Sequence, residues 1–143
     1  MRVAITGAAS GIGAASAAIL RDSGAEIVAF DIAKSSGGHD QWIQFDQSDA
    51  GSIMDAVAQV DGKFDALLNI AGVPPREGNA FNVLAINYFG LVGFTEAMLD
   101  RLSPDASIVI LELAYEIKSI LKSPATELCA GSCKVIGLSV PEP

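Results

Sequence analysis

The chain has 143 residues, of which half are hydrophobic, and a formal net charge of −8. This size and composition predict one globular domain with a buried core and exclude an intrinsically disordered protein. The acidic balance argues against nucleic acid or an anionic membrane as a partner.

The first predicted element is an apolar strand over Val3–Ile5, followed by a glycine-rich turn and an alanine-rich helix over Ile12–Arg21. In such a turn, backbone N–H groups can approach an anion, and the helix dipole favours negative charge at the helix start. A Cβ at the glycines would block a pyrophosphate or the packing of the helix on the strand. The pattern therefore predicts a dinucleotide site whose phosphate cradle consists of Gly7, Ser10, Gly11, Ile12 and Gly13.

The remaining elements alternate between strand and helix patterns. We predict strands over residues 26–30, 41–45, 64–70, 107–111 and 134–140, and helices over residues 49–60, 81–102 and 112–121. The alternation indicates right-handed βαβ units and a parallel sheet. Together with the glycine-rich turn after the first strand, it leads us to expect a Rossmann-like doubly wound α/β fold with five or six parallel strands in an order near 3-2-1-4-5-6. The whole chain, residues 1–143, is expected to form this one dinucleotide-binding domain. The helix over 81–102 could face a second subunit as well as the sheet, so a homodimer through it is one interpretation and core packing is the other.

Location and metal binding follow from three further observations. Glycines interrupt the apolar N-terminus, unlike a signal peptide, and no apolar run of about 18 residues occurs, so we expect a cytoplasmic protein. The spacing of Cys129 and Cys133 matches neither a redox motif nor a zinc motif, and His39 is the one histidine. No metal site is therefore predicted.

Asp31 ends the second predicted strand, 18 residues beyond Gly13. A carboxylate at this place can accept both hydroxyl groups of the adenosine ribose and repels a 2′-phosphate. Ile32, the next residue, is also predicted to contact the cofactor, and neither Ser10 nor Ile32 offers that phosphate a positive charge. The sequence therefore predicts NAD rather than NADP as the cofactor, with a carboxylate that merely caps a loop as the alternative.

The third and fourth strands are each followed by residues suited to a ligand. Asp46 follows the third strand, where its side chain or the backbone of Gln47 could meet the edge of an adenine; a turn or helix-cap role is the alternative. Asn69, Ala71 and Gly72 follow the fourth strand, in a stretch whose small residues let the backbone approach a ligand at the carboxyl ends of the strands. Asn69, Ala71 and Gly72 are predicted to line the inner part of the cofactor site.

Taken in order, Thr6-Gly-x-x-x-Gly-Ile-Gly13, Asp31, Asp46, Asn69-x-Ala-Gly72 and Asn87 resemble the short-chain dehydrogenase/reductase family, and within it the branch that contains bacterial 3α-hydroxysteroid dehydrogenase/carbonyl reductase. The resemblance covers residues 1–109. It implies NAD(P) binding, hydride transfer between a nicotinamide and a carbonyl or alcohol, and dimers or tetramers. It also implies that Asn87 belongs to a catalytic proton relay; the alternative is a polar helix residue that bonds a nearby carbonyl.

The serine, tyrosine and lysine of the family have no counterparts at the matching positions. Glu112 and Leu113 stand where a serine is expected, and neither Tyr88 nor Tyr115 has a lysine four residues later. Such a lysine is needed because a phenol of pKa about 10 is a poor base at neutral pH. Tyr115 and Lys118 could share a helix face, but an apolar helix face is the simpler account.

After Val109 the sequence no longer resembles the family, and residues 110–143 have the pattern of a divergent helix and strand that close the fold. A truncated or degenerate relative, a fragment, or an engineered chain that joins two parts would each produce this change, and the coherent pattern of the tail favours the last. Three functions remain open. We favour an NAD-binding module with little or no chemistry; the others are an NAD-dependent oxidoreductase for a carbonyl or hydroxysteroid-type compound, and a structural scaffold without a ligand.

Overall fold

The computed structural model describes residues 1–34, 37–113 and 133–139, which form one six-stranded sheet with helices packed on it. The strands are β1 (Arg2–Thr6), β2 (Glu26–Asp31), β3 (Gln41–Gln44), β4 (Phe64–Asn69), β5 (Leu102–Leu113) and β6 (Cys133–Ser139). The helices are α1 (Gly11–Asp22), α2 (Ala50–Ala58), α3 (Ala80–Leu84) and α4 (Leu91–Met98). A π-helical segment (Ala85–Gly90) joins α3 to α4, and a 3₁₀ turn (Leu99–Arg101) follows α4. We call the continuous stretch Ala80–Arg101 the composite helix.

The strand order β3-β2-β1-β4-β5-β6 confirms the predicted Rossmann-like topology. Strands β1 to β5 pair in parallel, as the alternation of strands and helices predicts. The sixth strand corrects the prediction, because β6 pairs antiparallel with β5. Cys133 at the start of β6 lies opposite Leu113 at the end of β5, so β6 begins beside the carboxyl end of β5. A parallel strand would have to begin beside the amino end of β5.

The core lies in two layers, one on each face of the sheet. Side chains alternate across a strand, so Ala4 of β1 packs in the layer of α2 and α4, while its neighbours in β1 pack in the layer of α1. Three aromatic rings, those of Phe30, Phe45 and Phe94, pack together with centroids 5.0 to 5.8 Å apart. Because Phe45 directly follows β3 and leads into the next loop, this packing fixes that loop on the sheet.

The composite helix has one buried face and one exposed face. By length and composition it is the one helix in the described part of the chain that could cross a membrane, a test that core helices of soluble proteins also pass. Phe94 and Met98 are fully buried, so α4 contributes to the core here. Other large apolar side chains of this helix are exposed, namely Phe81, Leu84, Tyr88, Phe89, Val92 and Leu99.

Two boundaries around β5 differ from the prediction. The strand begins at Leu102 rather than at Ser107, and an irregular register separates these two residues because the chain bulges between them. At its other end β5 continues through Glu112 and Leu113, so the helix predicted over 112–121 is wrong at its first two residues, which pair with β6 instead. The rest of that helix lies outside the described residues, as do Tyr115, Lys118 and Cys129.

Candidate functional site

A groove of about 350 Å³ lies at the carboxyl ends of the strands, next to the point where the strand order reverses between β1 and β4. Ligands of open α/β sheets bind in such a crevice. The groove brings together eleven of the residues predicted from the sequence: Gly7, Ser10, Gly11, Ile12, Gly13, Asp31, Ile32, Asp46, Gln47, Ala71 and Gly72. Asn69 and Asn87 are not among the residues that line it.

Five further residues line the groove that sequence reasoning did not assign: Phe45, Ile70, Val73, Ile86 and Leu111. Phe45, Ile70 and Val73 are immediate neighbours of predicted residues, so their chain positions could have pointed to them. Ile86 and Leu111 come from the composite helix and β5, where no local pattern marks a contact with the groove.

The glycine turn between β1 and α1 depends on the absence of side chains. Gly7 has a φ of +73°, and a Cβ there would lie 2.8 Å from the backbone of Ala71, in the loop after β4. At Gly13, a Cβ would overlap the carbonyl oxygen of Gly7. Gly11 has open space around it but a φ of +55°, so it is needed for its backbone conformation. The three glycines therefore serve three different purposes: contact with the loop after β4, packing of α1, and the turn itself.

The start of α1 is free to receive an anion. Ser10 is the N-cap residue, yet its side chain makes no capping hydrogen bond, and the first turn of α1 carries no acidic residue. The first N–H groups of a helix have no partner within the helix, and the helix dipole is positive at this end. No Lys or Arg is among the described residues that line the groove, so backbone N–H groups are the main positive feature of its wall.

Asp31 is fixed by hydrogen bonds from two loops. Its Oδ2 accepts from the backbone N–H of Ala9 in the glycine turn at 2.9 Å, and its Oδ1 accepts from the N–H of Ala33 at 2.9 Å. Each carboxylate oxygen can accept further hydrogen bonds, so both remain able to bind ligand hydroxyl groups. Asp31 can therefore cap the loop and still bind a ligand, because the hydrogen bonds that orient its carboxylate also hold it at the wall of the groove.

Asp46 lies at the groove and also makes its own turn. Its Oδ1 accepts from the N–H and the hydroxyl group of Ser48, at 2.8 and 2.7 Å. The helix that follows is capped by Asp49, whose carboxylate accepts from the N–H of Ser52 at 2.7 Å. The turn role that the sequence left open for Asp46 is therefore present, and a contact with adenine stays a prediction.

The loop after β4 is attached to β1 by one hydroxyl group. The Oγ1 of the fully buried Thr6 accepts from the N–H groups of Ile70 and Ala71, both at 3.0 Å. Asn69, by contrast, is directed into the core and donates from Nδ2 to Thr95 Oγ1 at 3.0 Å. Only 2% of Asn69 is exposed, so its side chain supports the helix rather than the groove.

Asn87 holds the same loop from the other side. Its Oδ1 accepts from the N–H of Val73 and its Nδ2 donates to the carbonyl of Val73, both at 2.9 Å. This is the structural role that the sequence left open beside the proton relay, and the relay stays a prediction. Asn87 borders a second cavity of about 340 Å³, which also includes Tyr88 and shares Ala71, Gly72 and Leu111 with the groove.

Gln47 connects the loop after β3 with the composite helix. Its Nε2 donates to the carbonyl of Ile86 at 3.0 Å, and its Oε1 is buried without a hydrogen-bond partner among the described residues. Gly90 packs directly on this loop, because a Cβ there would overlap the carbonyl oxygen of Gln47. The predicted adenine wall therefore rests on the π-helical segment.

The sequence model of short chain dehydrogenases matches residues 1–112. A coniferyl-alcohol dehydrogenase of Pseudomonas sp. (strain HR199) is 41% identical over 108 residues, which cover 76% of this chain and 42% of that protein. A 3-alpha-hydroxysteroid dehydrogenase/carbonyl reductase of Comamonas testosteroni is 33% identical over 129 residues, which cover 85% of this chain and 48% of that protein.

Solved structures agree with this likeness. The 3-alpha-hydroxysteroid dehydrogenase from Pseudomonas sp. B-0831, solved in complex with NADH, superposes with a TM-score of 0.66 at 33% identity, and the match covers 77% of this chain and 43% of that one. An aldohexose dehydrogenase of Thermoplasma acidophilum, with a TM-score of 0.69 at 23% identity, shares the fold. The chain spans about half the length of the curated relatives it matches.

Proposed function

From the premise that the chain belongs to the short chain dehydrogenase family, we propose that it is an NAD-binding module. One observation carries the proposal: at Gly7 and Gly13 a Cβ would collide with the backbone, so the turn has the close-packed form that a pyrophosphate needs at a helix start. The N–H groups around Gly7–Gly13 would hold the pyrophosphate, Asp31 the adenosine ribose, and the loop at Ala71 and Gly72 the inner part of the cofactor.

The preference for NAD over NADP is supported by Asp31. Its carboxylate is held at the groove by Ala9 and Ala33 and would repel a 2′-phosphate, and no basic side chain among the described groove residues would attract one. Bound NADH in a relative that is 33% identical supports a nicotinamide dinucleotide as the ligand class, without deciding between NAD and NADP here.

The chemistry that a bound nicotinamide supplies is hydride transfer. The sequence contains no Tyr-x-x-x-Lys motif, and Glu112 and Leu113 stand at the expected serine position, so we propose binding with little or no turnover. An active oxidoreductase is the second candidate, favoured by the second cavity beside Asn87 and by relatives that carry dehydrogenase names. Coniferyl alcohol and a 3α-hydroxysteroid, each supplied with NAD⁺, are the first substrates to assay for NADH formation.

Calorimetric titration with NAD⁺ and NADP⁺ tests the proposal. We expect saturable binding of NAD⁺, weaker binding of NADP⁺, and a reversed order in the variant Asp31→Arg. An unchanged order in Asp31→Arg would remove the ribose role of Asp31. No binding of either nucleotide to folded protein would refute the NAD-binding module and leave a scaffold without a ligand.

The exposed apolar side chains of the composite helix support a homodimer through this helix, as part of the same proposal. Sedimentation of the wild type and of Phe81→Asp tests it, and we expect the charge at this position to shift the protein towards the monomer. Binding of the wild type to lipid vesicles would instead favour a membrane contact at the same face. A cytoplasmic location is a further part of this proposal.

A further inference from the structure

Two walls of the groove are attached to neighbouring residues of one short segment. The loop after β3 is attached through Gln47, whose Nε2 donates to the carbonyl of Ile86 at 3.0 Å. The loop after β4 is attached through Asn87, whose amide group makes two hydrogen bonds of 2.9 Å with the backbone of Val73. Ile86 and Asn87 are consecutive residues of the π-helical segment.

The bond from Gln47 is specific in its direction. Only 6% of Gln47 is exposed, so its amide does not have bulk water as an alternative partner. If the amide were turned over, its oxygen would face the carbonyl oxygen of Ile86 and the two acceptors would repel each other. The donor must therefore point to the helix, and the orphaned Oε1 is the consequence of this orientation.

The π-helical segment is suited to receive such a bond. A π-helical turn is wider than an α-helical turn and occurs often at functional sites. Gly90, at the end of this segment, brings the helix so near that a Cβ would overlap the carbonyl oxygen of Gln47. The loop after β3 thus contacts the segment through both its backbone and its side chain, and a shift of one must move the other.

We propose that Gln47 is a positioning residue that acts through the π-helical segment on the loop at Val73, on the opposite wall of the groove. The hydrogen bond to Ile86 holds the segment, the segment holds Asn87, and Asn87 holds the backbone of Val73. For ligand binding the proposal rests on the proposed function, since only a dinucleotide that spans both walls would sense this connection. The mechanical part, from Gln47 to Val73, does not depend on any ligand.

Amide hydrogen exchange at Val73 tests the mechanical part in the ligand-free protein. Gln47→Met keeps the side-chain length and removes the donor, and we expect the Val73 amide to exchange about fivefold faster or more, as the loss of one hydrogen bond allows. Gln41→Met is the matched control, because Gln41 also donates to a backbone carbonyl, that of Gln59, away from the groove. Faster exchange at Val73 in the control, or unchanged exchange in Gln47→Met, would overturn the proposal.

If Gln47→Met does not fold, Gln47→Asn replaces it, since its amide is one methylene too short to reach Ile86. The amides of β1 and β2 report the fold in each variant. Unchanged exchange in these strands, with faster exchange at Val73, is the result that the proposal requires.

The affinities for NAD⁺ and AMP test the functional part. Local damage to an adenine wall would lower the affinities for both ligands by the same factor. Displacement of the Val73 loop would lower the affinity for NAD⁺ further, because AMP does not extend to that loop. We expect the ratio of NAD⁺ to AMP affinity to fall at least threefold in Gln47→Met, an order set by one weakened hydrogen bond. An unchanged ratio would overturn the positioning role in binding. Failure of the wild type to bind either ligand would instead refute the proposed function, and the exchange at Val73 would still decide the mechanical part.

Discussion

The part of the groove built by β1, α1 and β2 differs in kind from the part built by β4, β5 and the composite helix. In the first part the groups that would face a ligand under the proposed function are mostly backbone N–H groups, placed by glycine conformations and by missing Cβ atoms. In the second part, side-chain amides hold the walls, and Glu112 and Leu113 stand where the sequence resemblance led us to expect a serine. A nucleotide site needs a backbone shape, whereas catalysis needs particular side chains, so the two can be separated within one fold.

The largest expected loss of stability and NAD⁺ affinity comes from adding one methyl group to the glycine turn between β1 and α1. In Gly13→Ala the Cβ would overlap the carbonyl oxygen of Gly7, so α1 and the turn must move apart. We expect the free energy of unfolding to fall by about 3 kcal/mol. NAD⁺ affinity should fall by about 100-fold or more, the equivalent of two lost phosphate hydrogen bonds. Thermal unfolding and calorimetry measure the two effects.

Gly93→Ala is the matched control for this prediction. A Cβ at Gly93 would lie 3.8 Å from Cδ1 of Ile53, an ordinary contact inside α4. Because alanine favours a helix over glycine, we expect a gain of about 0.5–1 kcal/mol in stability and no change in NAD⁺ affinity. Equal losses of affinity in the two variants would contradict the special role of the glycine turn.

The next largest effect is expected at the ribose position. Asp31→Asn removes a charge and one of the two acceptors that bind Ala9 and Ala33, so NAD⁺ affinity should fall about tenfold. Asp46→Asn is the comparison, because the one turn oxygen that Asp46 uses can be kept by the amide. Its effect on NAD⁺ affinity should stay below about threefold, less than one full hydrogen bond. The reverse ranking in calorimetry would assign the nucleotide to the wall at Asp46 instead.

A smaller loss of NAD⁺ affinity is expected when the clamp, the two hydrogen bonds between Asn87 and Val73, is removed. Asn87→Ala leaves the N–H and the carbonyl of Val73 without partners, and the free energy of unfolding should fall by about 1–3 kcal/mol. NAD⁺ affinity should fall by less than about tenfold, since the clamp acts on the loop and not on the ligand. Asn79→Ala, which frees Arg76 and Pro74 farther along the same loop, should leave NAD⁺ affinity unchanged. A complete loss of binding in Asn87→Ala would place this residue in direct contact with the cofactor.

The smallest effect on NAD⁺ binding is expected at the amino ends of the strands, opposite the groove. Arg2 pairs with Glu26 at 2.9 Å, and its guanidinium lies 4.4 Å from the centroid of the Phe64 ring. Arg2→Met should lower the free energy of unfolding by about 1 kcal/mol, the order of a half-exposed ion pair with a cation–π contact. NAD⁺ affinity should not change. A weaker NAD⁺ complex in this variant would mean that the two ends of the sheet are coupled.

The sequence predicted those features that local patterns determine. The glycine turn, the strand that ends at Asp31 and the helix predicted over residues 49–60 depend on neighbours in the chain, and the structure has them within a residue or two of their predicted places. The parallel pairing of β1 to β5 followed from the alternation of strands and helices. The direction of β6 did not, because antiparallel pairing with β5 depends on where the chain returns, and a strand pattern carries no direction.

Contacts between distant segments could not be predicted in the same way. The bond from Gln47 to Ile86 joins residues 39 positions apart, and the sequence around Ala85–Gly90 carries no signal for a π-helical turn. Asn87 was found by its place in the family motif, but its clamp on Val73 became visible only when the two segments were brought together. For Asn69, position in the chain was misleading, since the side chain at the end of β4 is directed to Thr95 in the core.

The hydrogen bond between Asp31 and Ala9 has a consequence for how cofactor preference can change in evolution. Under the proposed function, the residue that would select the ribose also supports the turn that would hold the phosphates. A descendant with a small or basic residue in place of Asp31 would lose this support, and its affinity for every dinucleotide would fall. A single exchange at Asp31 would therefore lower the affinity for both dinucleotides even where it reverses their order, and a second substitution that supports Ala9 would be needed to restore that affinity.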